Sequence, residues 1–206
     1  MTKFVLVPGA WLGGWAWERV VPLLEKDGHH AYPLTLTGEG ERVHLASPEV
    51  GMETAIKDVL NVIEYQNLDD FVLVGHSFAG KVVAAVADRT PERVRSILYV
   101  DAFRPGKVRT PQGGFDPSEW NLQPGSIAIP LTQAILDSVG KDVKGPDRDW
   151  LMSKATPWPV RHSTNPIVLS EKFDGVKSAY IFCTGGGDPV EEVIQGKWGK
   201  LEGPTK

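Results

Sequence analysis

This sequence predicts an α/β fold built on a mostly parallel, doubly wound sheet, and three observations carry the prediction. Short apolar runs recur at residues 4–7, 31–36, 71–74, 97–100 and 179–183. Helical patterns separate the early runs, as in chains that cover both faces of a parallel sheet. The rhythm breaks only between residues 104 and 172, which marks an insertion.

The elements follow in order. Residues 4–7 are continuously apolar, as expected of a strand buried on both faces, and stop at Pro8-Gly9. Residues 17–26 read as a helix closed by Gly28, and Pro22 inside it implies a late start or a kink. A second strand, 31–36, runs into the polar loop 37–41. In the helix 54–65, Ile56, Val59, Leu60 and Ile63 fall at helical spacing, with Lys57, Asp58, Asn61 and Glu64 between them. The strand 71–74 leads to a Val- and Ala-rich helix, 81–89, that Pro91 ends, and the strand 97–100 follows.

Residues 105–172 are rich in proline, carry Trp150 and Trp158, and suggest one short helix near 131–139. Structureless loops of this length are uncommon in compact domains. The stretch therefore reads as a cap over the C-terminal edge of the sheet, inserted into a single domain with core 1–104 and 173–206. There is no internal repeat.

Composition excludes several function classes. The 206 residues suit one core, and 41% hydrophobic residues allow a sizeable one. The net charge of −4 and the lack of a Lys/Arg run argue against a nucleic-acid partner. No stretch approaches the ~20 apolar residues of a membrane span. Cys183, the one cysteine, forbids a disulfide within the chain and points to a reducing compartment. Met1 leads directly into the first strand without a leader pattern, so the expected location is the cytoplasm. With no His-Glu-x-x-His and no Cys/His cluster, no metal or other cofactor is expected. Gly185-Gly186-Gly187 lacks the Lys and Ser/Thr of a phosphate loop, and Gly13-Gly14 lacks dinucleotide spacing.

The chemistry concentrates at Gly75-His76-Ser77-Phe78-Ala79-Gly80, between an apolar strand and a helix. A serine at such a strand-to-helix bend is the context of a nucleophile elbow. The tight bend needs small residues two before and two after the serine, and Gly75 and Ala79 supply them. Ser77 is therefore the expected nucleophile. Its tetrahedral intermediate needs backbone N–H donors for the developing oxyanion. The expected donors are Phe78, which opens the helix, and Ala10, where Gly9 lets the first loop approach closely.

Residues 5–18, Val-Leu-Val-Pro-Gly-Ala-Trp-Leu-Gly-Gly-Trp-Ala-Trp-Glu, resemble the opening of the small esterases related to plant methyl salicylate esterases and hydroxynitrile lyases. The block 37–45, the elbow 75–80 and residues 99–103 (Tyr-Val-Asp-Ala-Phe) are similar to that family too. The resemblance covers residues 3 to 105 well and 170–190 loosely. It implies an α/β-hydrolase fold, with Ser77 attacking a carbonyl and the amides of Ala10 and Phe78 forming the oxyanion hole. Pro8 stands where the family has histidine, one residue before the close-approach glycine.

A serine nucleophile needs a base, and the base an orienting acid. The family takes its acid from the loop after the strand that here ends at Cys183. Gly186 occupies that place, Asp188 lies two residues on, and Asp101, ending the strand after the elbow strand, is the second candidate. The family's histidine follows one further strand, and this sequence stops at Lys206 before it. The chain is thus expected to be a truncated form, lacking the C-terminal strand and helix, rather than a natural form without a complete triad. Loss of the strand would bare the uncharged edge at 179–183.

Of the five histidines, His76 is expected to point away from the attacking oxygen, and His29 and His30 to lie exposed at the opposite edge of the sheet. His162 belongs to the cap. His44 either borders the substrate pocket or holds its own loop, and Trp11, with Trp15 and Trp17, either lines that pocket or packs in the core. The expected activity is hydrolysis of a small apolar carboxylic ester through an acyl-serine. A hydroxynitrile lyase-like reaction and a non-catalytic ligand-binding role are the alternatives.

Overall fold

The computed structural model describes residues 1–105 and 120–183. Five strands, β1 (Lys3–Val7), β2 (His30–Pro33), β3 (Phe71–His76), β4 (Val94–Val100) and β7 (Ser178–Ile181), form one sheet in the order β2-β1-β3-β4-β7. Every pairing in it is parallel. Between them run α1 (Val21–Lys26), α2 (Met52–Tyr65) and α3 (Ala79–Arg89).

The strands are apolar because they are covered on both faces. Val5, Leu6, Val7, Leu73 and Ile97 are all at most 2% exposed, whereas β7, outermost among the described strands, leaves Ile181 47% exposed. In α2 the stripe Ile56, Val59 and Ile63 is buried, and α3 is buried through Ala87.

The strand order reverses between β1 and β3. In open parallel sheets, ligands bind outside the carboxyl ends of the strands at such a reversal. Val7 pairs with Gly75, so the loop beginning at Pro8 leaves the sheet level with the turn at Ser77.

Residues 120–175 hold the two-stranded sheet of β5 (Ala128–Ile129) and β6 (Trp158–Pro159), with α4 (Gln133–Val139), α5 (Gly145–Lys154) and α6 (Val160–Thr164). This segment is tied to loops at the carboxyl ends of β1 and β2. Trp11 Nε1 donates to the Ile129 carbonyl at 2.9 Å, the Thr156 N–H to the Trp11 carbonyl at 3.0 Å, and the Gly40 N–H to Thr156 Oγ1 at 2.7 Å.

Several elements differ from the sequence expectation, among them β5, β6 and α6, which no pattern in residues 105–172 announced. The helix expected over 17–26 is a 3-10 turn at Gly14–Trp17 followed by α1, because Pro22 fits only a helix's first turn. β2 ends at Pro33, although the Leu34 N–H still donates to the Leu6 carbonyl. α5 has no apolar stripe to announce it. It begins at Gly145-Pro146, which reads as a turn, and docks through Trp150 against Trp15 at 5.0 Å.

The loop after β2 hangs on one carboxylate. Asp58 accepts from the Thr37 N–H at 2.6 Å, from Thr37 Oγ1 at 2.9 Å and from Arg42 at 3.1 Å, with its side chain only 10% exposed. Asp58→Ala is expected to cost about 2 kcal/mol, seen as a lower urea midpoint with an unchanged m-value.

Candidate active site

Ser77 has φ +55°, in the left-handed region that non-glycine residues rarely occupy. Such strain persists only where surrounding contacts over-determine it. The Ser77 N–H donates to the Val100 carbonyl at 3.3 Å, and its own carbonyl accepts from the amides of Phe103 at 2.9 Å and Gly80 at 3.1 Å. A Cβ at Gly75 would stand 2.7 Å from Val83 Cγ2 and 3.0 Å from the Ala79 carbonyl, so the bend closes only without a side chain there.

The first loop presses directly on this bend. A Cβ on Gly9 would meet His76 Nδ1 at 2.5 Å and Ser77 Cβ at 3.2 Å. Ala10 and Phe78 are 6% and 4% exposed, and among the described residues neither backbone N–H has a hydrogen-bond partner. Phe78 is the N-cap of α3, where helix amides are left without intrahelical acceptors. Trp11, at φ +67°, is the second left-handed residue of the site.

The His76 ring lies against Gly9 and 6.5 Å from Trp17, and burial lowers its pKa, offset in part by the Asp101 carboxylate. Asp101 directly follows β4 at φ +43°, exposed, with its N–H donating to the Ile181 carbonyl at 2.9 Å. Its charge is felt also by Tyr180 and Cys183, whose pKa values burial raises. Asp188 lies outside the described residues. His44 is exposed on the 3-10 turn Gly40–Leu45, and among the described residues no hydrogen bond or ring contact links it to Ser77 or Trp11. His30 is exposed as expected, whereas His29 is half-buried, 5.5 Å from the Phe4 ring.

Trp11 sits in an aromatic cluster. Trp158 lies 5.5 Å from it and 5.0 Å from Phe78, and Trp120 packs edge-on against both tryptophans. This leaves an apolar, aromatic environment around the two candidate oxyanion residues.

Sequence reasoning missed a buried polar group behind them. Glu39 and His162 are both 0% exposed, with His162 Nδ1 3.1 Å from Glu39 Oε1. The His162 ring stacks on Phe78 at 5.9 Å with 14° between planes. Lys81, 1% exposed, donates to the Ser163 carbonyl at 3.3 Å, and burial brings its pKa down to about 8. No spacing rule flags Glu39, since a glutamate in a Gly-rich loop reads as solvated.

Burial disfavours charge on both members of the pair. It raises the Glu39 pKa well above the usual carboxylate value and, with nearby Lys81, lowers that of His162 to about 3. Burial thus favours the neutral form of each partner across the 3.1 Å contact. The raised Glu39 pKa favours folding on acidification, whereas the lowered His162 pKa works in the opposite direction. Between the usual 6.5 and about 3, only the unfolded chain protonates His162, so its contribution is present above pH 6.5 and lost on acidification. His162→Phe is expected to flatten the fall in melting temperature between pH 7 and pH 4, measured by circular dichroism.

Residues 4–204 match the profile described as the Alpha/beta hydrolase family. The chain belongs to that family. It is 35% identical over 205 residues to the carbendazim hydrolyzing esterase of a Nocardioides species, across 92% of this chain and 82% of that enzyme. Methylesterase 9 of Arabidopsis thaliana is 33% identical over 117 residues, 56% of this chain and 46% of the plant protein. Among solved structures, an extracellular α/β-hydrolase from a Paenibacillus species superposes with a TM-score of 0.74 at 23% identity, over 98% of this chain and 90% of that one. At that identity the likeness concerns the fold alone. Among the described residues, no helix is long and apolar enough to cross a membrane.

Proposed function

We propose that this α/β-hydrolase cleaves small apolar carboxylic esters through an acyl-Ser77 intermediate, without a cofactor. The observation that carries the reading is the left-handed Ser77 at the strand-order reversal, with the Gly9 loop packed against it. Similarity to an esterase and a methylesterase supports esters as the substrate class.

In this reading Ser77 Oγ attacks the carbonyl carbon while a general base takes its proton. The carbonyl oxygen gains negative charge between the Ala10 and Phe78 amides, and the alcohol leaves protonated. Water then releases the acid by the same steps. Asp188 or Asp101 orients the base. Residues 105–172 cap the core, Trp11 and its aromatic neighbours contact an aromatic or aliphatic acyl group, and His44 borders the entrance. The cytoplasm is the proposed location, in keeping with the lone Cys183.

The test is a panel of p-nitrophenyl esters mixed rapidly with the full-length protein. A first-turnover burst is expected, together with an acyl mass increment on the peptide containing Ser77. A panel without burst or adduct overturns the reading, and cyanide release from cyanohydrins in its place favours the lyase alternative.

A further inference from the structure

We propose that Glu39 and His162 form a buried strut that positions both halves of the oxyanion hole, making them positioning residues for acylation. The inference rests on the ester-hydrolase reading of Ser77 and adds to it two residues outside the Ser-base-acid set.

The case begins with cost. Burying Glu39, His162 and Ser163 at 0% exposure, with Lys81 at 1%, is unfavourable compared with apolar side chains of the same size. Among the described residues, Glu39 Oε2, His162 Nε2 and Ser163 Oγ have no hydrogen-bond partner. Such a cluster does not repay its desolvation through stability, so its location matters.

That location joins the two oxyanion elements. On one side, the Glu39 carboxyl faces the backbone N–H of Trp11. The Trp11 carbonyl accepts from Thr156, whose hydroxyl accepts from the Gly40 N–H, next in sequence to Glu39. Trp11, the left-handed residue that follows Ala10, is thus held at its C=O, with the Glu39 carboxyl beside its N–H. On the other side, His162 stacks on the Phe78 ring, whose second neighbour is Trp158. The 3.1 Å contact between Glu39 and His162 closes the path from Trp11 to Phe78. Hydrogen bonds to an oxyanion weaken steeply with misalignment, so a loosened strut would slow acylation and deacylation alike while leaving ground-state ester binding intact.

The variants separate this role from a merely structural one. Glu39→Leu and His162→Phe each remove the polar contact and keep the volume, and Glu39→Gln keeps a neutral hydrogen-bonding group facing His162 Nδ1. The readouts are the rate of Ser77 labelling by a fluorophosphonate and the steady-state constants on a p-nitrophenyl ester, with near-ultraviolet circular dichroism reporting the folded fraction. Glu39→Leu and His162→Phe are each expected to lower labelling and kcat by about 10–100-fold with KM unchanged, less than or near the loss of one whole donor. Glu39→Gln should restore most of the rate lost in Glu39→Leu. The Glu39→Leu/His162→Phe double variant should be no slower than the worse single one, since one contact can be lost only once.

Wild-type labelling rates in both single variants overturn the strut. So do multiplicative losses in the double variant, or losses that follow the folded fraction. Should Glu39→Leu not fold, His162→Phe and Glu39→Gln carry the same comparison. A wild-type protein that takes no label at Ser77 removes the hydrolase reading and the strut with it. A labelled wild type with equally labelled variants removes the strut alone.

Discussion

Ser77→Ala is expected to lower kcat/KM for small esters by about 10,000-fold or more, roughly 5 kcal/mol of transition-state stabilisation. The hydroxyl is the only atom removed, and among the described residues it makes no hydrogen bond whose loss would disturb the fold. The backbone strain at φ +55° is nearly the same for alanine as for serine, and the bonds that maintain it come from main-chain atoms of Val100, Phe103 and Gly80. Melting temperature should therefore stay within a few degrees while the burst and the acyl adduct disappear. Any residual rate is expected from the proposed oxyanion amides of Ala10 and Phe78 and from substrate binding, which survive the substitution. Retention of the burst in Ser77→Ala would remove position 77 from the chemistry.

How far the sequence foretold this architecture depends on what each residue's neighbours are. Residues 4–7, 71–74 and 97–100 were legible because a strand covered on both faces must be apolar along its whole length. The bend at Ser77 was legible because its steric requirement lies within six consecutive residues. Glu39 and His162 were not, since they stand 123 positions apart and meet only through the fold. Read locally, each is a polar loop or cap residue. α5 was missed for another reason: its surface packs through Trp150, Asp147 and Lys154 onto Trp15, Arg19 and Glu18, so no apolar period marks it. Gly80, too, has a neighbour that only the fold supplies, the chain just after β4.

That neighbour makes Gly80→Ala the substitution with the largest expected effect on stability. A methyl group at position 80 would overlap the Phe103 carbonyl oxygen and stand 2.8 Å from its carbonyl carbon and 2.9 Å from its amide nitrogen. No flexible side-chain end is available to yield, because all three atoms are backbone. In an ordinary helix the change from glycine to alanine is worth about 1 kcal/mol in the opposite direction, so propensity alone predicts stabilisation. Overpacking typically costs 1–3 kcal/mol where side chains can shift, and a main-chain clash belongs at or above the top of that range. A net loss of about 3 kcal/mol is therefore expected, read as a lower urea midpoint. Activity should fall further than stability does. The Phe103 N–H that would be pushed away is the one that donates to the Ser77 carbonyl at 2.9 Å, so relief of the clash loosens the bend at Ser77. Gly75→Ala is the useful comparison, because its nearest obstacle at 2.7 Å is the Val83 side chain. A smaller stability loss there, partly recovered in Gly75→Ala/Val83→Ala, would separate side-chain crowding from main-chain crowding. No shortening at residue 83 should rescue Gly80→Ala.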